Sequence, residues 1–170
     1  MFNKIKAITE YYRMFYSLAS VFWREPKRMD CLPLQTDNEL PFEVRKWGCY
    51  LLCALYVLCE EKKRDMCYPL IKLAYYLGKQ NGYIESGCFV SNLWGVYEEL
   101  HYGNLKKDIK WGTKAETCPK GAYELLFYKW NNLGHFVVGN GKGGILYDPM
   151  GEASVVMKNG KLSSKRFLWF

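Results

Sequence analysis

Histidine is scarce in this 170-residue chain, which contains only His101 and His135. Its seven cysteines include no pair with the CxxC spacing that structural zinc sites use, so we expect no metal ion and no cofactor. The number of cysteines is odd, and no secretory segment is recognised ahead of them. Both features argue against a disulfide framework and predict free thiols in a reducing cytoplasm.

Long apolar runs are also missing. The longest stretch without a charged residue covers residues 47–59, which is shorter than the ~20 residues that a membrane-spanning helix needs. Near the N-terminus, Glu10 and Arg13 interrupt the apolar residues and no small-residue cleavage site follows, so a signal peptide is not expected. We therefore predict a cytoplasmic protein without membrane association, and the oligomeric state stays open.

The composition is that of a folded protein, with 49% hydrophobic, 17% aromatic and 24% charged residues. This supplies enough apolar material for a buried core, and the length predicts a single domain over residues 1–170. The net charge of +7 suggests an acidic partner, but the basic residues are scattered among acids. Ordinary solvated surface charge is the simpler reading. Nucleic acid remains an alternative partner, because exposed aromatic rings beside such charges can stack on bases.

Periodicity divides the chain into a helical first part and a strand-rich second part. Apolar residues at steps of three and four predict helices, the first of which forms an N-terminal extension over about residues 1–25 and ends at Glu25-Pro26. The stretch 26–46 looks irregular. The predicted helices cover residues 3–24, 49–60, 67–79 and 89–101.

Short segments rich in aromatic and β-branched residues follow residue 122, separated by Asn- and Gly-rich turns. They predict an antiparallel meander. Because the helices come first and the strands second, the expected fold class is α+β, with N-terminal helices packed on a C-terminal antiparallel sheet. The predicted strands cover residues 123–128, 135–139, 144–148, 154–157 and 166–170.

His135 and Asp148 are the residues of this sheet that could do chemistry. His135 opens an otherwise apolar strand, and Asp148 closes the next one. Counting outward from a turn centred near Lys142 places the two residues nearly opposite each other, with Cβ atoms ~5 Å apart. A carboxylate there would fix the tautomer of the imidazole and stabilise its charged form. A purely structural role for His135 is the alternative, and His101 is interpreted as a structural or surface residue.

Cys49 is the candidate nucleophile, because it follows Trp47-Gly48 and begins the predicted buried helix. Free N–H groups and the helix dipole at that position favour a thiolate, as does a neighbouring imidazolium. A thiolate can attack an acyl carbon. Cys53 lies one turn later, lacks this electrostatic help and is assigned to the core.

The order of these residues resembles the papain-like cysteine peptidase superfamily, and within it the bacteriocin-processing peptidases that cleave double-glycine leaders. The resemblance implies a papain-like fold and a thiol hydrolase that acts on a peptide or protein substrate through a Cys49, His135 and Asp148 triad. It also implies that Gln35 helps the Cys49 backbone N–H to hold the oxyanion. The matching stretches are LPLQ at 32–35, WGCYLLCAL at 47–55, GHFVV at 134–138 and ILYDP at 145–149.

The chain departs from the family pattern in two places beside the nucleophile. Gln35 precedes Cys49 by 14 positions, a longer gap than usual, and Tyr50 replaces the glycine that usually follows. The alternative function is therefore an inactive papain-like scaffold that binds a host protein or nucleic acid, of the kind that phages and mobile elements encode. The six tryptophans of the chain are expected to lie mostly in the core, and any exposed one would be an interaction anchor.

We predict that iodoacetamide at neutral pH labels Cys49 much faster than the other six cysteines, because that site alone is expected to hold a thiolate. Peptide mapping by mass spectrometry over a time course would give the rate at each thiol. Uniformly slow labelling of all seven would contradict the enzymatic interpretation and leave the binding protein.

Overall fold

The computed structural model describes residues 32–100 and 109–170. The chain from Pro33 to Phe170 forms one unit in which helices come first and an antiparallel sheet follows, which confirms the α+β class. The predicted helix over residues 3–24 and His101 lie outside the described residues. No helix in the described part of the chain has both the length and the apolar character needed to cross a membrane.

Five helices and seven strands make up the described chain. The helices are α1 (Phe42–Trp47), α2 (Cys49–Lys62), α3 (Tyr68–Gln80), α4 (Leu93–Glu99) and α5 (Val155–Asn159). The strands are β1 (Ile84–Glu85), β2 (Phe89–Val90), β3 (Ile109–Thr113), β4 (Tyr123–Trp130), β5 (Leu133–Gly139), β6 (Ile145–Tyr147) and β7 (Lys161–Leu168).

Helix α2 forms the centre of the fold, and every residue from Tyr50 to Cys59 is buried. It packs on the sheet through Tyr50, whose ring centroid lies 4.9 Å from that of Phe136 on β5. On another side, the buried Tyr97 of α4 donates its hydroxyl hydrogen to the Ala54 carbonyl at 2.7 Å. The predicted helix over residues 49–60, enclosed by protein on all sides, is therefore confirmed.

The five-stranded sheet has the order β3-β7-β4-β5-β6. Strands β4, β5 and β6 form the predicted meander, and the β4–β5 turn lies at Asn131 and Asn132 as expected. Asn131 has φ 51°, a left-handed conformation that asparagine tolerates. The rest of the meander prediction is wrong, because the last strand, β7, inserts between β3 and β4.

Several predicted elements differ from the structure in type or in where they begin, and local hydrogen bonds explain two of the differences. The predicted strand over residues 154–157 is wrong. The Ser154 hydroxyl accepts a hydrogen bond from the Met157 N–H at 3.1 Å and caps the start of helix α5. Similarly, the Asn92 side chain accepts from the Gly95 N–H, so α4 begins at Leu93 and not at residue 89. The irregular stretch predicted over residues 26–46 contains helix α1, which begins after Pro41.

The prediction for tryptophan is wrong as well. None of the five tryptophans in the described ranges belongs to the buried core. Trp47 and Trp111 are 46% and 60% exposed, which is far more than packing in a core requires.

A buried ion pair connects the sheet to the loop between β3 and β4. The carboxylate of Glu124 is almost fully buried and lies 2.8 Å from Lys165 Nζ, which also donates to the Glu116 carbonyl at 2.8 Å. Gly139 faces Glu124 across the β4–β5 ladder, and a Cβ atom there would lie 2.5 Å from Glu124 Oε2. The absence of a side chain at Gly139 therefore makes room for the carboxylate.

We expect Lys165→Met to destabilise the protein by about 3–5 kcal/mol, because it leaves the Glu124 carboxylate buried without a counter-ion. The double variant Glu124→Gln/Lys165→Met should lose less, since it removes both charges. Lys72→Met, which breaks the exposed Lys72–Glu39 pair, is the matched control and should cost less than about 1 kcal/mol. Urea unfolding measures all three, and equal losses for the two lysine variants would contradict the role of the buried pair.

Candidate active site

His135 and Asp148 are brought together at one end of the sheet. His135 is the third residue of β5 and is 4% exposed, while Asp148 directly follows β6. His135 Nε2 lies 2.7 Å from Asp148 Oδ1. The predicted contact is present, although the two residues are offset along the ladder and not nearly opposite each other. The ladder pairs Val138 with Tyr147 and has an irregularity beside that pair, so the two side chains meet diagonally beyond the end of β6.

The carboxylate of Asp148 is fixed by its own backbone. Asp148 Oδ1 also accepts from the Met150 N–H at 2.9 Å, which closes a tight turn after β6. The following residue, Pro149, accepts from the Gln35 N–H at 2.6 Å through its carbonyl oxygen. These two bonds hold the loop that carries Asp148, and Asp148 in turn holds the imidazole of His135.

Cys49 is the first residue of α2, it is half-buried, and its thiol is one of the groups that raise the pKa of His135. Because Asp148 occupies Nε2 of the ring, Nδ1 is the nitrogen left for a second partner. In the first turn of α2 there is no acidic residue to repel a thiolate. Cys49 therefore lies at a helix N-terminus, as the sequence predicts.

Glycine at position 48 explains why α2 begins where it does. A Cβ atom on Gly48 would lie 2.5 Å from the Val44 carbonyl oxygen of α1, so any side chain would force the two helices apart. The Gly48 N–H donates the last hydrogen bond of α1 to that same oxygen. Helix α2 starts at the next residue. A continuous helix from residue 42 would have placed Cys49 mid-helix, without free N–H groups around it.

The imidazole of His135 is held in its charged form. Burial by itself lowers the pKa of His135, but hydrogen bonds to Asp148 and Cys49, together with the charges of both groups, outweigh it and raise the pKa to about 9. At neutral pH the ring is therefore protonated. It lies beside Cys49 both as a cation and as a proton donor.

Gln35 lies between the two halves of the site. Its side chain is buried, and Nε2 donates to the Arg45 carbonyl of α1 at 3.1 Å, while its backbone is bonded to Pro149. The second amide hydrogen and the buried Oε1 have no partner among the described residues. Gln35 is thus anchored beside the helix that leads to Cys49, with hydrogen-bonding capacity left over.

The other nearby thiols are different in character. Cys53 is fully buried and donates to the Phe136 carbonyl at 3.2 Å, and burial together with the charges of Cys49 and Asp148 raises its pKa. Its assignment to the core is confirmed. Sequence reasoning gave no role to Cys88, which is buried with a pKa raised to about 12 by burial and then by the neighbouring charge of Cys49. No local sequence pattern could have linked Cys88 with Cys49, because the loop that carries Cys88 comes near Cys49 only in the folded structure.

An exposed aromatic surface adjoins the thiol. Trp47 and Phe42 contact each other edge to face with ring centroids 6.3 Å apart, and both are largely exposed. Lys46 Nζ lies 4.5 Å from the Trp47 ring centroid, and the loop at Gly87 passes over the same indole. We name Phe42, Lys46 and Trp47 the Trp47 shelf. The sequence motif included Trp47 but gave no reason to expect it at the surface.

Fold and site together define an α+β protein with a Cys–His–Asp cluster at the N-terminus of a buried helix. Residues 32–169 match a family model described as protein of unknown function, DUF261, and the chain belongs to that family. Comparison with curated proteins gives no match. Comparison with solved structures also gives none.

We predict that Asp148→Asn and Cys49→Ala each lower the pKa of His135 from about 9 towards 6.5, because each removes a group that stabilises the imidazolium. In the unfolded chain His135 has a pKa near 6.5. Its interaction with Asp148 and Cys49 therefore stabilises the fold fully below that pH, and this stabilisation is lost as the pH rises through about 9. The stability advantage of the wild type over Asp148→Asn should shrink over that interval.

NMR titration of the ring signals measures the pKa, with the variant His101→Gln assigning the two histidines. Chemical denaturation at several pH values measures the stability difference. An unchanged pKa of His135 in Cys49→Ala would show that the thiol and the imidazole are not in contact.

Proposed function

We propose that this protein is a thiol hydrolase of papain-like architecture that cleaves amide bonds in peptides or proteins. The observation that supports this most directly is the placement of His135 between two partners. Its Nε2 lies 2.7 Å from Asp148, and its pKa is raised by a thiol at the first residue of a helix. Nucleophile, base and orienting carboxylate in hydrogen-bonded sequence form the arrangement that covalent acyl transfer requires.

The chemistry follows from this geometry. Cys49 Sγ, as a thiolate, forms a bond with the acyl carbon, and the protonated His135 gives its Nδ1 proton to the leaving amine. The amine departs and a thioester remains on Cys49. Neutral His135 then takes a proton from water, whose oxygen attacks the thioester, and the carboxylic acid leaves. The thiolate and the imidazolium are restored, while Asp148 holds the ring throughout.

Two N–H donors are suited to the developing oxyanion. The Cys49 backbone N–H belongs to the first turn of α2, where helix geometry supplies no intrahelical acceptor. The second amide hydrogen of Gln35 is the other, since its first hydrogen bonds to the Arg45 carbonyl. Donors fixed in this way stabilise the charge of a tetrahedral intermediate without reorganising.

The Trp47 shelf supports a peptide as the substrate class. An apolar side chain of the substrate can pack on the exposed indole two residues before the nucleophile, and Lys46 adds a positive charge at its edge.

The compartment we propose is the cytoplasm, because the six cysteines of the described ranges are all free thiols.

We expect wild-type protein to generate new N-termini in a library of proteome-derived peptides, and Cys49→Ala to generate none. His135→Ala should slow cleavage by roughly 10²–10⁴-fold through loss of general acid–base catalysis. Gln35→Ala should lower kcat by about 10²–10³-fold with a smaller effect on KM, as expected for an oxyanion donor. Mass spectrometry of labelled amino termini provides the readout.

Cys118→Ala is the matched control, since it removes a half-buried thiol in the β3–β4 loop and should leave cleavage unchanged. Cleavage that survives in Cys49→Ala would rule out this mechanism. Absence of cleavage by the wild type, together with slow alkylation of Cys49, would favour the alternative of an inactive scaffold that binds another macromolecule.

A further inference from the structure

A surface depression lies where β3 and β4 end and β7 begins. Its cavity volume is about 790 Å³. None of Cys49, His135, Asp148 and Gln35 lines it. We name it the lysine groove, and its defining residues are Trp111, Lys114, Lys129, Lys161, Ser163 and Ser164.

The charge in the groove is of one sign. Lys114, Lys129 and Lys161 are all exposed, and none of them forms an ion pair within the described ranges. No Asp or Glu of the described chain lines the groove. Other lysines of the fold, such as Lys79 and Lys165, have carboxylate partners at 3.1 and 2.8 Å. Three uncompensated cations around one cavity create a positive potential that attracts a polyanion.

Trp111 adds an aromatic surface to this charge. Its side chain is 60% exposed, and the guanidinium carbon of Arg166 lies 3.5 Å from its ring centroid. Arg166 is itself held between further rings, with Tyr50 at 4.3 Å and Phe136 at 5.0 Å. The indole is therefore fixed from one side by a well-packed cation, while much of its surface stays open to the groove.

We propose that the lysine groove binds single-stranded nucleic acid. A base stacks on Trp111, the three lysines contact phosphates, and the hydroxyls of Ser163 and Ser164 donate hydrogen bonds to phosphate oxygens. The cavity volume lies within the ~300–1,000 Å³ of ordinary ligand sites, which is enough for one or two nucleotides. A single strand is favoured over a duplex because its bases are free to stack. This inference does not depend on hydrolysis at Cys49.

The first test is fluorescence anisotropy of fluorescein-labelled oligo(dT) and oligo(rU) 12-mers with the full chain. We expect the triple variant Lys114→Ala/Lys129→Ala/Lys161→Ala to bind at least ten-fold more weakly. Its slope of log K against log salt should also fall by ~2, since each phosphate contact on a single strand contributes ~0.7. The matched control, Lys62→Ala/Lys120→Ala/Lys142→Ala, makes the same change in net charge outside the groove and should alter affinity less than two-fold.

The second test isolates stacking from charge. An abasic 12-mer with the same number of phosphates should bind the wild type about ten-fold more weakly than oligo(dT) does, because it has no base to stack. Trp111→Ala should bind both chains equally weakly, and Trp111→Phe should restore part of the difference. Free dTMP should compete with oligo(dT) only at much higher concentration, because each molecule engages the groove through one phosphate.

Several results would overturn the proposal. Equal weakening by the control triple variant would show non-specific attraction to net charge, and equal binding of the abasic chain would show that Trp111 does not stack on bases. A poly-glutamate peptide that binds as tightly as oligo(dT) would identify the groove as a site for acidic peptides. Cys49→Ala should bind oligo(dT) normally, so failure of the proposed hydrolase leaves this test unaffected. Circular dichroism confirms that each variant is folded.

Discussion

The close approach of two helices at Gly48 is the constraint on which the candidate site depends. The Val44 carbonyl occupies the space where a side chain would be, so α1 ends there and α2 begins one residue later. This break leaves the first N–H groups of α2 free around Cys49 while the body of the helix stays buried under the sheet. The thiol of Cys49 thus lies at the start of a helix whose body is fully buried, which suits a group that must hold its position relative to His135.

The second determinant is the balance of charge around His135. A buried imidazole would ordinarily be neutral, because desolvation disfavours its charged form. Here the carboxylate of Asp148 on one ring nitrogen and the thiol of Cys49 on the other reverse that tendency. The buried Cys53, only one turn from Cys49, has no such partner and bonds to a backbone carbonyl instead. Two cysteines of the same helix therefore differ in chemistry because of what surrounds them.

The insertion of β7 between β3 and β4 shapes two parts of the structure. It places Arg166 beside Tyr50 and Phe136 below α2, and the same guanidinium supports Trp111 at the surface. It also brings the lysines at the start of β7 and the end of β4 into one groove. Arg166 thereby contacts both the residue that follows Cys49 and the aromatic ring of the lysine groove. Tyr50, which directly follows Cys49, thus has a structural role in this stack.

Much of the fold could be predicted from local pattern. The apolar stretch from Cys49 onward, the helix near residue 68 and the strands around His135 all depend on short-range periodicity and turn residues, so sequence alone determined them, together with the closeness of His135 and Asp148. Tertiary structure decided the rest. Strand β3 forms only by pairing with β7, more than 50 residues away, and the capping bonds of Ser154 and Asn92 override the apolar patterns beside them. The neighbourhood of Cys88 and the gathering of three lysines around Trp111 were likewise beyond the sequence, because contacts between distant segments follow from topology and not from the residues at either end.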